Sequence, residues 1–193
     1  MEDDDKYIKV IKNFIDDEGI KSLISFIDSN INKFLSYQGN NRHVLRFGKD
    51  FYWDDSNKDF KDIGELEIYL RDKVFLKVQN LLKDIYQKEG LFVSNLWLSK
   101  HLPGSIIEMH EDIDGGRNPQ FEYSAIIYLN SLDNTGILDF PFSNFSYTPV
   151  SGDLVIFPSK HIDFPHQFAH RVSEIKEIRY TIPMWISPQR YAL

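Results

Sequence analysis

Beyond Gly90 the chain breaks into short runs of branched and aromatic residues, and this limits its fold more than any other feature. The runs are "VSNLWLSKHL", "SIIEMHED", "EYSAIIYLN", "ILDF", "DLVIFPS", "FAHRVSEI" and "IRYTIPMWI". Turn chemistry separates them at Pro103-Gly104, Gly115-Gly116, Asp133-Asn134 and Ser151-Gly152. Short strands at near-regular spacing predict a sandwich or barrel of antiparallel strands. Before Gly90 the period is helical. Ile20, Leu23, Ile24, Ile27, Ile31, Phe34 and Leu35 recur at three- and four-residue steps, with Asp16 as the expected N-cap. A second helix is expected from about Glu65 to Lys88, with Leu66, Tyr69, Leu70, Val74, Val78, Leu81, Leu82 and Ile85 on its apolar face and Gly90 just past its end. Helices first and strands after predict an α+β fold with the helices packed on one side of the sheet. The stretch between the helices, "RFGKDFYWDDSNKDF", has no clear period. It reads as a loop or short strand with core aromatics, or as a flap over a binding site.

A chain of 193 residues fits a single domain, 1–193, with a mainly helical support region (1–90) ahead of a β core (91–193). With 42% hydrophobic and 15% aromatic residues it can bury a sizeable core. There is no apolar run long enough to span a membrane, and the acidic start "MEDDDKYIKV" lacks the apolar region of a secretory signal. Cysteine is absent, which excludes disulfides, zinc–thiolate sites, iron–sulfur clusters and cysteine nucleophiles. Cysteine absence does not identify the compartment, but with no signal peptide a cytoplasmic location is expected. A net charge of −7 argues against a nucleic-acid partner.

The chemistry-bearing residues begin in "IIEMHEDIDGG". On a strand, His110 and Asp112 share a face and Glu111 points the other way. Imidazole and carboxylate at that spacing can bind one metal ion, although His-x-Asp alone is weakly specific. Downstream, "FPSKHIDFPHQFAHRVSEIKEIRY" holds three more histidines. His161 and His166 read as loop residues, whereas His170 lies in an alternating run. His110, Asp112 and His170 would complete a facial triad of two histidines and one carboxylate, the ligand set of non-haem Fe(II) oxygenases. Arg179 follows His170 by nine residues on the next strand. It reads either as a surface ion pair or as a fork gripping a carboxylate.

At this point the sequence resembles the Fe(II)- and 2-oxoglutarate-dependent dioxygenases, and within them the prolyl 4-hydroxylase-like branch. Four pieces carry the resemblance in the family's order, from about Asn95 to Pro188: "HLPGSIIEMHED", "EYSAIIYLNSLDNTGILDF", "TPVSGDLVIFPS" and "HRVSEIKEIRYTIPMW". It implies a double-stranded β-helix (jelly-roll) core. It also implies that His110, Asp112 and His170 ligate Fe(II) and that Arg179 binds the distal carboxylate of 2-oxoglutarate. Tyr128 would donate its hydroxyl to the same carboxylate, where its alternative is a core aromatic. The implied reaction consumes O2, releases succinate and carbon dioxide, and hydroxylates a C–H bond; ascorbate is an auxiliary reductant it admits. Three departures concern the pocket lining: "DNTGILDF" replaces a double-glycine turn, His101 stands where many prolyl hydroxylases have tyrosine, and Pro183 replaces a small hydroxylated residue.

The resemblance points to a prolyl or other residue in a peptide or protein as substrate, with small molecules as the other class. Phe51, Tyr52 and Trp53 could line an aromatic groove, Asp54 and Asp55 would favour a basic peptide, and His166 could border the entrance. The rival reading is a jelly-roll module that captures a ligand or metal without turnover. The oligomeric state is left open.

Overall fold

The structure, a computed structural model, describes residues 6–37, 41–48, 63–112 and 121–188. Eleven strands and two helical segments are assigned among them. β1 (Lys9–Ile11) leads into α1 (Asp17–Asn30), whose N-cap Asp16 accepts from the Gly19 amide as expected. A 3₁₀ turn (Ile31–Lys33), β2 (Leu35–Tyr37) and β3 (Arg42–Gly48) follow. The second helical segment starts as α2 (Ile63–Tyr69), passes through a π-helical stretch (Leu70–Phe75) and ends as α3 (Leu76–Tyr86). It ends at Tyr86 with Gln87 as its C-cap, two residues short of the expected Lys88. Gln87 adopts the left-handed conformation (φ 54°), and its amide donates to the carbonyls of Leu82 and Lys83.

The strands after Gly90 are β4 (Phe92–His101), β5 (Ile107–His110), β6 (Tyr123–Tyr128), β7 (Leu138–Phe140), β8 (Phe145–Tyr147), β9 (Leu154–Pro158), β10 (His170–Val172) and β11 (Arg179–Ser187). They form two antiparallel sheets. The larger has the order β1-β9-β6-β11-β4-β3-β2, the smaller β5-β10-β7-β8. This is the expected α+β jelly roll. The described part of the stretch before Gly90 is mainly helical, and it also supplies β1, β2 and β3, which complete the larger sheet. β3 pairs with β4 over seven residues, from Arg42 opposite His101 to Gly48 opposite Asn95. Such a strand escapes a period search because its partners, not its own alternation, hold it.

Side-chain alternation splits the core in two. One face of the larger sheet (Leu96, Leu98, Ile127, Ile182, Met184) packs against the helices through Leu23, Ile27, Leu70, Val74, Val78 and Leu82. Each such aliphatic side chain contributes about 1.5–3 kcal/mol by leaving water. The opposite face looks into the roll, where Tyr128, Val155 and Phe157 meet Leu138, Phe140 and Val172 of the smaller sheet. Trp97, His101, Ser124, Arg179 and Trp185 alternate with helix-facing residues and therefore share this inner face.

Asp153 pins the N-terminal strand to the roll. Its buried carboxylate accepts from Lys12 Nζ (2.7 Å), the Asn13 amide (3.0 Å) and the Tyr147 hydroxyl (2.6 Å). Just before it, Gly152 holds φ +85°; a Cβ there would lie 2.8 Å from the Ile15 carbonyl oxygen, so the turn requires glycine. Burial opposes the Asp153 charge, but Lys12, Tyr147 and the Asn13 amide outweigh it and hold the carboxyl below its ordinary value. A depressed folded-state pKa adds stability above the unfolded value, about 4, and that stability is lost as pH falls through the folded value. Asp153→Asn is therefore expected to cost about 2–3 kcal/mol at neutral pH. Urea titrations should show the gap to wild type closing below about pH 4. A gap that stays constant into acid would assign the loss to shape instead of charge.

Candidate active site

The site forms where the smaller sheet meets the inner face of the larger one. β5 and β10 run antiparallel with His110 directly opposite His170, so two residues sixty positions apart become cross-strand neighbours. Their ring centroids lie 4.4 Å apart. Each ring is fixed in the same way. His110 Nδ1 lies 2.8 Å from the Glu108 carbonyl oxygen and His170 Nδ1 lies 3.0 Å from that of Phe168. A carbonyl only accepts, so each Nδ1 carries the proton and donates. Each Nε2 then keeps its lone pair, the arrangement a metal-binding histidine needs. Both Nε2 atoms face Asp112, at 3.6 Å from Oδ1 for His110 and 3.9 Å from Oδ2 for His170.

Asp112 lies two residues past the end of β5 rather than on the strand, yet its carboxylate turns back to the histidines. One ligand atom from each of the three residues lies within 4.8 Å of the others, so the group could hold a metal ion. Burial works against the Asp112 charge, but His170, His110 and the Ser124 hydroxyl overcome it and hold the carboxyl well below the usual range. Burial lowers the pKa of His170. Burial also acts against protonation of His110, but the Asp112 carboxylate prevails and raises its pKa. The His170 side chain is 4% exposed and that of His110 41%, so the group opens to solvent on the His110 side. Ser124 is itself tied to Ser159 by a 2.8 Å hydroxyl contact. This support for the carboxylate was not anticipated from sequence, although Ser124 sits four residues before Tyr128 on the same alternating face.

Arg179 is 2% exposed, at the start of β11. The surface-ion-pair alternative thus fails, as no carboxylate among the described residues pairs with it. Its guanidinium carbon sits 5.4 Å from the Tyr128 ring centroid. Arg179 Nε and the Tyr128 hydroxyl are buried without a hydrogen-bond partner among the described residues. Burial pulls the Arg179 pKa down and pushes that of Tyr128 up. A desolvated cation beside an unsatisfied phenol is costly by several kcal/mol unless an anion with free oxygens joins them. A carboxylate end of a small dicarboxylate answers that need, and the His-Asp-His group suits a cation that prefers nitrogen and oxygen ligands. The donor sets therefore fit both Fe(II) and 2-oxoglutarate.

Other sequence candidates lie elsewhere. His166 does not reach the triad; its Nδ1 lies 3.0 Å from Glu111 Oε1, on the side away from Asp112. With Phe142 and Met109 it borders an open pocket that His110 also lines. His161 is exposed on the loop before β10. Tyr52, Trp53 and the whole Phe51–Asp55 segment fall outside the described residues. Pro183 pairs with Ile126 on the inner face and brings no hydroxyl to it. An aromatic wall not anticipated from sequence stands on the same inner face as Ser124. Trp185 is the cross-strand partner of Ser124, its ring lies 4.7 Å from that of Trp97, and Arg42 and Arg46 stack over Trp97 at 5.3 and 4.7 Å.

Two histidines on paired strands of a jelly roll, an aspartate just beyond one of them, and a buried arginine and tyrosine on the inner face make a donor set that suits a non-haem iron oxygenase. Residues 96–187, just under half of the chain, match the 2OG-Fe(II) oxygenase superfamily. That match supports Fe(II)- and 2-oxoglutarate-dependent oxygenase chemistry for the chain. Its fold is that of the prolyl hydroxylases. A viral collagen prolyl hydroxylase from Paramecium Bursaria Chlorella virus-1, in complex with 2OG, superposes with a TM-score of 0.69 at 17% identity, covering 95% of this chain and 97% of that one. A prolyl-4-hydroxylase from Pseudomonas putida gives 0.60 at 16%, covering 95% and 93%. A prolyl hydroxylase from Trichoplax adhaerens, in complex with a hypoxia inducible factor peptide fragment, gives 0.65 at 18%, covering 95% and 84%. No curated protein matches the sequence.

Proposed function

We propose that the chain hydroxylates a prolyl or other residue in a peptide or protein, with His110, Asp112 and His170 as the iron ligands and Arg179 and Tyr128 as the clamp on 2-oxoglutarate. The observation that carries the oxygenase chemistry is the pairing of the two sites: a nitrogen–oxygen triad, and next to it a buried cation and phenol with unmet hydrogen bonds. When bound, the iron and its cosubstrate supply the oxidising power. The residues of this chain do the rest. The Nδ1–H bonds to Glu108 and Phe168 fix the angle of both rings and, in the neutral imidazole, leave Nε2 as the ligand atom. Arg179 and Tyr128 hold one end of the cosubstrate, so its other end meets the triad in one orientation. The apolar lining of Phe140, Phe157 and Val172 limits water behind the ligands.

A peptide substrate is supported by the fold shared with prolyl hydroxylases, one of them holding a peptide fragment. It is also supported by the Trp97–Trp185 wall, since flat aromatic surfaces suit extended proline-containing segments. The test is a peptide library incubated with the protein, Fe(II), 2-oxoglutarate and ascorbate in air, read by mass spectrometry. A one-oxygen mass gain on a residue of a subset of peptides, lost in Asp112→Ala, supports the proposal. Succinate release with no modified peptide, alongside oxidation of a small metabolite, would move the substrate to that class.

A further inference from the structure

We infer that His101 aims Arg179: its Nε2 accepts one guanidinium N–H while its Nδ1–H is anchored on Ser105, which leaves the other N–H groups of Arg179 and the Tyr128 hydroxyl to face the cosubstrate carboxylate. The consequence for the cosubstrate rests on the oxygenase reading above; the contact itself does not.

Arg42, His101 and Arg179 stand opposite one another on β3, β4 and β11, a row of cation, imidazole and cation across the inner face. His101 is 1% exposed. Its Nε2 lies 3.5 Å from Arg179 Nη1 and its Nδ1 lies 3.3 Å from Ser105 Oγ. Burial, then Arg179 and Arg42, push its pKa well below the ordinary value, so the ring is neutral. A neutral imidazole has one donor and one acceptor. Arginine only donates, so the nitrogen facing it must be the acceptor. The proton is then on Nδ1, where the Ser105 hydroxyl takes it. With the opposite tautomer, two N–H groups would point at each other in a site that excludes water.

The 3.5 Å contact is at the long end for a hydrogen bond, and its effect is directional more than energetic. A guanidinium on a flexible stem can roll about its last bonds, and a bidentate grip requires that it not roll. Glycine at 136 leaves the stem room, since a Cβ there would sit 3.4 Å from Arg179 Cδ. His101 restrains the head. Ser105 is itself held in place, with its amide on the Leu102 carbonyl and its carbonyl accepting from the Ile175 amide. His101 is thus a positioning residue that acts through Arg179.

Two measurements test this. Nitrogen-15 NMR of histidine-labelled wild-type protein reads the tautomer directly, with no substitution. The expected result is protonated Nδ1 and unprotonated Nε2 for His101 at neutral pH; the reverse tautomer overturns the inference. Calorimetry of 2-oxoglutarate binding to the Mn(II)-loaded protein reads the consequence. His101→Leu is expected to weaken binding by about tenfold with Mn(II) affinity unchanged. His101→Gln, whose side-chain oxygen can take over the acceptor role, should stay within about threefold of wild type. If His101→Leu binds as tightly as wild type, or His101→Gln falls as far as His101→Leu, the positioning role is overturned. A wild-type chain that binds no 2-oxoglutarate overturns the oxygenase reading instead, and with it the cosubstrate role of His101.

Discussion

Asp112→Ala is expected to abolish 2-oxoglutarate-dependent succinate release while leaving the fold intact. The carboxylate is the only oxygen ligand in a group whose other two members are imidazoles, and it sits between both Nε2 atoms. Losing a residue that merely supports a metal ligand costs roughly 10–100-fold. Losing the ligand itself should cost more, because two histidines alone do not hold one face of an octahedral ion. Stability should change little. Asp112 lies beyond the end of β5, so no strand pairing depends on it, and the substitution removes a buried charge along with its attraction to the histidines. Steady-state succinate assays beside thermal melts separate the two effects. Full succinate production by the variant would remove Asp112 from the ligand set.

Arg179→Ala should raise the 2-oxoglutarate requirement by a hundredfold or more, on the order expected when one partner of a buried ion pair is removed. Arg179→Lys should not restore it, since an ammonium cannot offer the planar fork that a carboxylate meets in two-point geometry. The signature is a large rise in the cosubstrate KM with a smaller change in kcat, because the reacting end of the cosubstrate lies away from the arginine. Tyr128 shares the load; its buried hydroxyl has no other partner among the described residues. An unchanged requirement in Arg179→Ala would place the carboxylate elsewhere.

Much of this site was legible in the sequence, for identifiable reasons. His110 and Asp112 are close in sequence, and alternation puts them on one side even though only His110 lies on the strand. His170 and Arg179 were legible because each begins a short alternating run on a buried strand, the pattern a period-two search detects. Ser124, Ser159 and Ser105 were not. A serine hydroxyl acquires a role only through what folds against it, and in each case that neighbour is distant or on another element. The same applies to β3, which has no apolar signature of its own: Arg42 and Arg46 lie inward, where Trp97 offers a face to stack on. β8 was missed because three residues between Asn144 and a proline-containing turn carry too few positions to show any alternation. The π-helical stretch at Leu70–Phe75 buries Leu70 and Val74 as the helical period predicts, but nothing in the sequence marks the change of winding.

Anaerobic addition of Fe(II) and 2-oxoglutarate to the protein, followed by visible absorption, tests the whole account most directly. If the two imidazoles, Asp112, Arg179 and Tyr128 form one site, a weak charge-transfer band should appear only when both additions are present, and it should be absent in Asp112→Ala. A wild-type chain that shows no such band, or a band of equal strength in Asp112→Ala, would contradict it.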